Sequence, residues 1–269
     1  PKIAKPRVLI PVFPGTNCEY DIANAFNRYG GQGDIFVIRN LSAQDMEESV
    51  NEFAKRIEQS QMIAIPGGFS GGDEPEGSAK FINAFFRNPK IKDAVENMLY
   101  TRDGLMLGIC NGFQALIKLG LVPFGHIVPL TTDSPTLTYN SIGHHQSQLA
   151  YTRICTNKSP WLMHCKVGDV AAIPISHGEG RFVASDEVIK KLIENGQVAT
   201  QYVDLKGNPT MDVAFNPNSS MCAIEGIISP DGRVLGKMGH TERITGNTCT
   251  NVDGNKEQLL FKGGVDYFG

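Results

Sequence analysis

The stretch LGICNGFQ, residues 107–114, decides how the rest of the chain is interpreted. It places Cys110 between Gly108 and Gly112, where an apolar segment passes into an amphipathic one. Such a strand-to-helix turn permits a strained residue and close approach of a substrate, as in the nucleophile elbow of hydrolases. The alternative is that Cys110 is only a small buried side chain, because cysteine is among the most buried residue types. The position of Cys110 at a helix N-terminus favours the role of nucleophile, since the helix dipole and the free N–H groups stabilise a thiolate.

The first 120 residues alternate between apolar strand patterns and helical patterns. Thr16 and Glu19 form a capping-box pattern for a first helix, and Ser42 is placed to cap a second one. Further helical segments extend over roughly 78–100, before the strand that leads to Cys110. This repeated βα order predicts a parallel sheet with helices on both faces and with ligands beyond the carboxyl ends of its strands.

The second half of the chain has a different pattern. From about Gly125 the hydrophobic periodicity shortens to that of β-rich segments, with one helix near 186–195. Because no linker, repeat or low-complexity tract divides the chain, residues 1–269 are predicted to form a single domain. The predicted fold class is α/β, with a mainly parallel, doubly wound sheet and a β-rich second half. The chain begins at Pro1 rather than at methionine, which suggests processing or excision from something longer.

Composition argues against several classes of partner. A length of 269 residues, 41% of them hydrophobic, predicts a globular protein, and a net charge of -3 gives no field that would attract nucleic acid or anionic lipid. No apolar run approaches the length of a membrane span, and the first residues lack a signal-peptide pattern. We therefore expect a cytoplasmic protein with neither nucleic acid nor membrane as partner. Six cysteines without CxxC spacing predict neither a metal site nor a disulfide framework.

A glycine-rich stretch, PGGFSGGDEPEGS at 66–78, follows the third predicted strand. It lacks the lysine and hydroxyl of a phosphate-binding loop, and its acidic residues would repel phosphate. Gly67 and Gly68 are instead suited to presenting backbone N–H groups to an oxyanion beside the elbow, which needs no side chain.

A cysteine nucleophile for acyl transfer needs a base, and the base needs an orienting acceptor. His240 ends an apolar strand, and Glu242 would point the same way in extended backbone. His177 and Glu179 have the same spacing and remain an alternative on spacing alone, whereas the other four histidines are less favourable. Cys18 is a rival nucleophile in the first turn of another helix. It lacks flanking glycines and is expected to be structural.

The segments PGGFSGGD, GICNGFQ, PISHGEGRF and GHTER, in this order, resemble the class I, triad-type glutamine amidotransferases, which have a flavodoxin-like fold. More narrowly, PGTNCE, SPWL, HGEGRF, NPNSS and SPDGRVLGKMGHTER resemble the glutaminase portions of phosphoribosylformylglycinamidine synthases, over essentially the whole chain. The resemblance implies that Cys110 is the nucleophile, His240 the base and Glu242 its orienting partner. Relatives usually have Pro-His-Pro-Glu where this chain has Gly239 and Thr241 around His240, which puts the stiffness of this loop in question.

The same resemblance implies roles for other residues. The N–H groups of Gly68 and Asn111 would be the oxyanion donors, and the segment HGEGRF would lie near the site and the synthetase interface. The residues expected around the glutamine substrate are Gly67, Phe69, Gln114, His177 and Glu179.

The implied activity is hydrolysis of glutamine through a cysteine thioester. The ammonia would serve the ATP-dependent conversion of formylglycinamide ribonucleotide to formylglycinamidine ribonucleotide in purine biosynthesis. No cofactor is expected in this chain, and ATP and Mg²⁺ would bind a synthetase domain or subunit that is its partner. The missing methionine fits a chain that is the C-terminal part of a larger fused synthase, and a separate small subunit stays open.

Two other classes of protein also stay open at this point. One is another hydrolase with a cysteine elbow, which typically has a histidine directly after the cysteine, where Asn111 stands here. The other is a noncatalytic binding module, against which the complete set of Cys110, His240 and Glu242 argues.

Overall fold

The computed structural model describes residues 2–69 and 78–269, so part of the glycine-rich stretch, 70–77, lies outside the described residues. The strands in the described part of the chain are β1 (Arg7–Val12), β2 (Gln32–Val37), β3 (Met62–Ile65), β4 (Leu105–Ile109), β5 (Thr136–Tyr139), β6 (Gln146–Ile154), β7 (Val170–His177), β8 (Glu179–Val183), β9 (Val198–Tyr202), β10 (Ile224–Ile228) and β11 (Val234–Lys237). The helices there are α1 (Glu19–Arg28), α2 (Ala43–Gln59), α3 (Lys80–Phe86), α4 (Pro89–Tyr100), α5 (Asn111–Leu119), α6 (Leu121–Phe124), α7 (Asp186–Glu194) and α8 (Leu260–Asp266).

One nine-stranded sheet takes strands from both halves of the chain, in the order β2-β1-β3-β4-β11-β10-β9-β6-β7. The strands from β2 to β11 run parallel to their neighbours, and those from β11 to β7 pair in antiparallel fashion. Strands β5 and β8 form a separate two-stranded sheet. The predicted α/β class, with a parallel sheet and a β-rich second half, is confirmed.

The parallel strands are apolar because they lie in the interior of the protein, covered by helices. Every residue of β3 and of β4 is buried, as continuous hydrophobic runs of a covered parallel sheet require. Helix α5 packs on β4, β11 and β3, and α1 packs on β1 and β2. None of the helices in residues 2–69 and 78–269 has the length and apolar character needed to cross a membrane.

The two predicted helix caps had different outcomes. Ser42 caps α2 as predicted, because its side chain accepts a hydrogen bond from the N–H of Asp45 at 3.1 Å. The prediction of a capping box at Thr16 and Glu19 is wrong. Helix α1 begins at Glu19 itself, and the Thr16 hydroxyl accepts from the N–H of Phe13 at 3.1 Å. Thr16 is held in this turn by an isolated bridge to Gly68, so it lies too early to cap the helix.

Strand β11 connects the end of the chain to its middle. It runs parallel to β4, with Lys237 opposite Ile109. Residues that follow the two strands therefore emerge at the same edge of the sheet. This register brings His240, after β11, close to Cys110, after β4, although 130 residues separate them in sequence.

Candidate active site

Cys110 occupies the turn between β4 and α5 with a strained backbone. Its φ of 53° and ψ of -106° lie in a region that residues other than glycine seldom adopt. Its N–H donates to the carbonyl oxygen of Lys237 at 2.9 Å, and its Sγ lies 3.6 Å from the carbonyl oxygen of Ser176. The sharp turn predicted for the sequence around Cys110 is present, and it holds the thiol at the carboxyl edge of the sheet.

Glycines let the backbone approach this thiol. A Cβ on Gly67 would lie 2.7 Å from Cε1 of His240 and 3.5 Å from Cβ of Cys110. Gly68 has a φ of 150°, and a Cβ there would lie 2.4 Å from the carbonyl oxygen of Gly15. The chain after β3 therefore passes directly beside Cys110 and His240, where a larger residue would displace one of them.

His240 and Glu242 form a buried pair. Nδ1 of His240 lies 2.6 Å from Oε1 of Glu242, and the two side chains are 3% and 0% exposed. Burial lowers the pKa of His240, but the Glu242 carboxylate and the Cys110 thiol, which is also its hydrogen-bond partner, raise that pKa well above 6.5. Because Nδ1 is engaged by Glu242, Nε2 is the ring nitrogen available to the thiol. The three groups thus have the order of a nucleophile, a base and an orienting acid.

The alternative pair, His177 and Glu179, does not form. Nδ1 of His177 contacts Oδ1 of Asn140 at 3.3 Å, whereas Oε2 of Glu179 accepts from the N–H of Ser78 at 3.2 Å. Burial, helped by the charges of His240 and a second histidine, lowers the pKa of His177 to about 3. A neutral imidazole without a carboxylate partner is a poor match for the base of a triad, so the geometry favours His240.

The other predicted site residues lie around Cys110. Asn111 begins α5, and its Nδ2 donates to Oε1 of Gln114 at 2.9 Å. The Gln114 amide in turn donates to the carbonyl oxygen of Glu179, so both ends of this side chain are held by protein groups. Phe69 is 43% exposed at the mouth of the site. The structure thus brings all the predicted residues to one edge of the sheet.

Cys18 lies closer to the site than its sequence context indicated. Its Sγ lies 3.9 Å from Nδ1 of His240, and Arg243 donates to it at 3.0 Å. Ligand atoms of Cys18, His240 and Glu242 all lie within 4.8 Å of one another, which is close enough to hold a metal ion. The guanidinium of Arg243 on the thiol disfavours a cation there. Neither Cys18 nor Arg243 was singled out as part of the site from sequence, because only the fold brings α1 beside His240.

The pocket that reaches the thiol is small. Gly68, Phe69, Ser176 and His240 are among its lining residues, and its volume is about 20 Å³. That is room for about one water molecule. A glutamine side chain needs more space than this pocket provides among the described residues.

Comparison with known proteins identifies the family of this chain. Residues 5–268 match the family described as the CobB/CobQ-like glutamine amidotransferase domain. The chain is 32% identical over 258 residues to phosphoribosylformylglycinamidine synthase subunit PurQ of Symbiobacterium thermophilum, covering 96% of this chain and 95% of that one. It is 34% identical over 255 residues to the PurQ subunit of Chlorobium chlorochromatii, covering 94% and 93%.

A solved structure gives the same result. The PurLQS structure from Thermotoga maritima contains a chain that superposes with a TM-score of 0.67 at 26% identity, covering 98% of this chain and 100% of that one. The chain belongs to the glutamine amidotransferase family, and within it to the group of PurQ-like domains.

Proposed function

We propose that this chain hydrolyses glutamine and is the glutaminase component of phosphoribosylformylglycinamidine synthase. The observation that carries the proposal is the buried pair of His240 and Glu242, which meets the strained Cys110 at the ends of two adjacent parallel strands. The site belongs to a glutamine amidotransferase domain, and its curated relatives are named as subunits of that synthase.

The proposed reaction begins at the thiol of Cys110. His240 takes the thiol proton, and Sγ attacks the side-chain carbonyl carbon of glutamine. The tetrahedral intermediate collapses as the C–N bond breaks, and the imidazolium gives its proton to the departing ammonia. Water then hydrolyses the glutamyl thioester with His240 as base, releasing glutamate and the free thiol. Glu242 stabilises the imidazolium in both steps.

The backbone beside the thiol would stabilise the oxyanion. Gly68 and Asn111 are the proposed N–H donors, because Gly68 lines the pocket and Asn111 directly follows the nucleophile at the start of α5. The residues proposed to surround bound glutamine are Gly67, Phe69, Gln114, His177 and Glu179. The structure engages the Gln114 amide with protein groups, which suits a role in shaping the pocket.

The ammonia would pass to a synthetase that uses ATP and Mg²⁺ to convert formylglycinamide ribonucleotide to formylglycinamidine ribonucleotide. The names of the relatives support this destination, and so does the likeness to a chain of the PurLQS structure. In this proposal residues 1–269 are one glutaminase domain that acts in the cytoplasm. It binds no cofactor itself, and its synthetase is a fused domain or a separate subunit.

The test is a comparison of two nitrogen sources in the assembled synthase. Cys110→Ala should abolish glutamine-dependent formation of the amidine while ammonia-dependent formation persists, because only the ammonia source is removed. Full glutamine-dependent activity in Cys110→Ala would refute the assignment of the nucleophile. Absence of glutamine hydrolysis by the assembled wild-type enzyme would instead indicate a noncatalytic domain.

A further inference from the structure

A buried ion pair lies beneath the loop that carries His240. Nζ of Lys237, the last residue of β11, is 3.3 Å from Oε1 of Glu225 on the neighbouring strand β10. The two side chains are 1% and 0% exposed. Removing both charges from water is costly, and well-packed hydrophobic residues often replace such a pair without loss of stability. Fold stability alone is therefore a weak reason for this pair.

The pair contacts both neighbours of His240. Oε1 of Glu225 accepts from the N–H of Gly239 at 2.6 Å. Nζ of Lys237 donates to the carbonyl oxygen of Gly239 at 2.9 Å and to Oγ1 of Thr241 at 3.0 Å. The N–H of His240 itself donates to the carbonyl oxygen of Pro174 at 2.8 Å. Three consecutive residues of the loop are thus tied to the sheet by hydrogen bonds.

A further buried chain of contacts extends from Thr241. Its hydroxyl donates to Oε1 of Gln258 at 2.8 Å, and Nε2 of Gln258 donates to Oγ1 of Thr152 on β6 at 3.0 Å. On the other side, the hydroxyl of Thr200 donates to Oε2 of Glu225. All of these groups are buried, so each hydrogen bond forms in surroundings where an unmade one is expensive.

A side chain at the position before His240 would press on the ion pair. A Cβ on Gly239 would lie 2.9 Å from Cγ2 of Ile173, 3.0 Å from Oε1 of Glu225 and 3.1 Å from Nζ of Lys237. A proline there would also remove the N–H that donates to Glu225. The glycine at this position is therefore coupled to the ion pair, and buried polar contacts hold the loop.

We propose that Lys237 and Glu225 are positioning residues that fix the backbone on both sides of His240, so that its ring meets Cys110 and Glu242 together. This inference rests on the proposed function, because it assigns His240 the role of catalytic base. Neither residue lines the small pocket at the thiol. Their loss should therefore lower kcat for glutamine while KM stays unchanged.

The first experiment replaces the pair as a unit. Lys237→Met alone leaves the Glu225 carboxylate buried without its cation and should be unstable. The double variant Lys237→Met/Glu225→Leu removes both charges and should melt at a higher temperature than that single variant. Since misplacing a catalytic group by about 1 Å can cost about a hundredfold in rate, kcat of the double variant should fall by about that factor in the complex with the synthetase. Wild-type kcat in a folded double variant would overturn the proposal.

Smaller changes separate positioning from stability. Thr241→Ser keeps the hydroxyl that Lys237 contacts and should retain kcat, whereas Thr241→Val loses it and should have a reduced kcat. Gln197→Met is the matched control, because Gln197 is a buried amide beside β9 that bonds the carbonyl oxygens of Pro123 and Ile228, away from the loop. It should lose stability and keep kcat. Equal kcat in Thr241→Ser and Thr241→Val would also overturn the proposal.

A second readout needs no glutamine hydrolysis. NMR titration of the His240 ring in Cys110→Ala, with and without the double substitution, reports whether the ring still meets Glu242. We expect the pKa of His240 to fall when the ion pair is removed, since burial then opposes its charge with less compensation. An unchanged pKa would contradict the positioning role even if the chain proved inactive on glutamine, so the two proposals fail separately.

Discussion

His240 and Glu242 are joined by a 2.6 Å contact between Nδ1 and Oε1 in a region with almost no solvent exposure. The second oxygen of Glu242, Oε2, is buried and has no hydrogen-bond partner among the described residues. The only side-chain hydrogen bond of this carboxylate among the described residues is therefore to the imidazole, on which its charge acts at close range and with little screening.

Removing that charge should impair catalysis strongly. Glu242→Gln keeps the shape of the side chain but no longer stabilises the imidazolium, so we expect kcat for glutamine to fall by at least about a hundredfold, as in other triads. Steady-state glutaminase assays in the complex with the synthetase measure this. Glu187→Gln, at an exposed position on α7, is the control and should be unchanged. Activity of Glu242→Gln near that of the control would mean that Glu242 is not the orienting acid.

Glu179→Gln should behave differently from Glu242→Gln. The Glu179 carboxylate accepts from the N–H of Ser78, and its charge acts on Lys118. Glu179→Gln keeps the backbone contact to the Gln114 amide and removes only that charge, so it should mainly raise KM for glutamine or lower the fraction of ammonia that reaches the synthetase. The measurement is glutamate release and amidine formation in the same reaction. An equal loss of maximal thioester formation in both variants would leave the two acids indistinguishable.

The buried His177 should make the fold sensitive to acid. Its pKa is about 3 in the folded chain against an ordinary value of 6.5, so the unfolded state binds the proton first as pH falls below 6.5. Stability is thus lost as pH falls from 6.5 towards 3. At pH 5 the loss is about 2 kcal/mol relative to His177→Gln, which has no such proton. Urea midpoints of both proteins at pH 7 and pH 5 test this, and equal losses would refute it.

Gly112 should tolerate no side chain. A Cβ there would lie 2.1 Å from the carbonyl oxygen of Ile65, which belongs to the β3 backbone and cannot move aside cheaply. Gly112→Ala should therefore cost more than about 3 kcal/mol of the free energy of unfolding. Gly246→Ala is the control, because no atom lies within 4 Å of its added methyl group. Comparable stability of the two variants in urea would show that α5 does not pack this closely on β3.

The chain alone should hydrolyse glutamine slowly. An uncoupled glutaminase would waste glutamine, so we expect the synthetase to complete or order the site at Cys110, whose pocket is small among the described residues. The proposed coupling segments are the glycine-rich stretch, whose residues 70–77 are not described, and HGEGRF. Addition of the synthetase with its own substrates should raise steady-state turnover. Equal turnover with and without the partner would refute partner activation and leave the triad untouched.

The alternating strands and helices could be predicted because each has a local signal. The apolar run before Cys110 and its flanking glycines are such signals, and they place the turn at Cys110 correctly. Ser42 is another, and it places the start of α2 correctly. The capping box at Thr16 misled because its pattern is short, and a tertiary bridge to Gly68 outweighs it. A contact between two distant loops, not local sequence, thus fixes the conformation of the chain before α1.

Contacts between distant segments had no such signal. Cys18 was expected to be structural because it lacks flanking glycines, yet its position directly before α1 places its thiol 3.9 Å from Nδ1 of His240. The choice between His240 and His177 also depended on the register of β11 against β4, since spacing to the nearest glutamate is the same for both. The buried pair of Lys237 and Glu225 likewise forms only when β10 and β11 align.

The most direct test of the nucleophile is covalent labelling by a glutamine analogue. The chain, with its synthetase, is incubated with 6-diazo-5-oxo-L-norleucine, and the modified residue is mapped by mass spectrometry. Cys110 should carry the label, excess glutamine should prevent its attachment, and Cys110→Ala should remain unlabelled. Label on Cys18, with Cys110 unmodified, would contradict the assignment of Cys110 as the residue that forms the thioester.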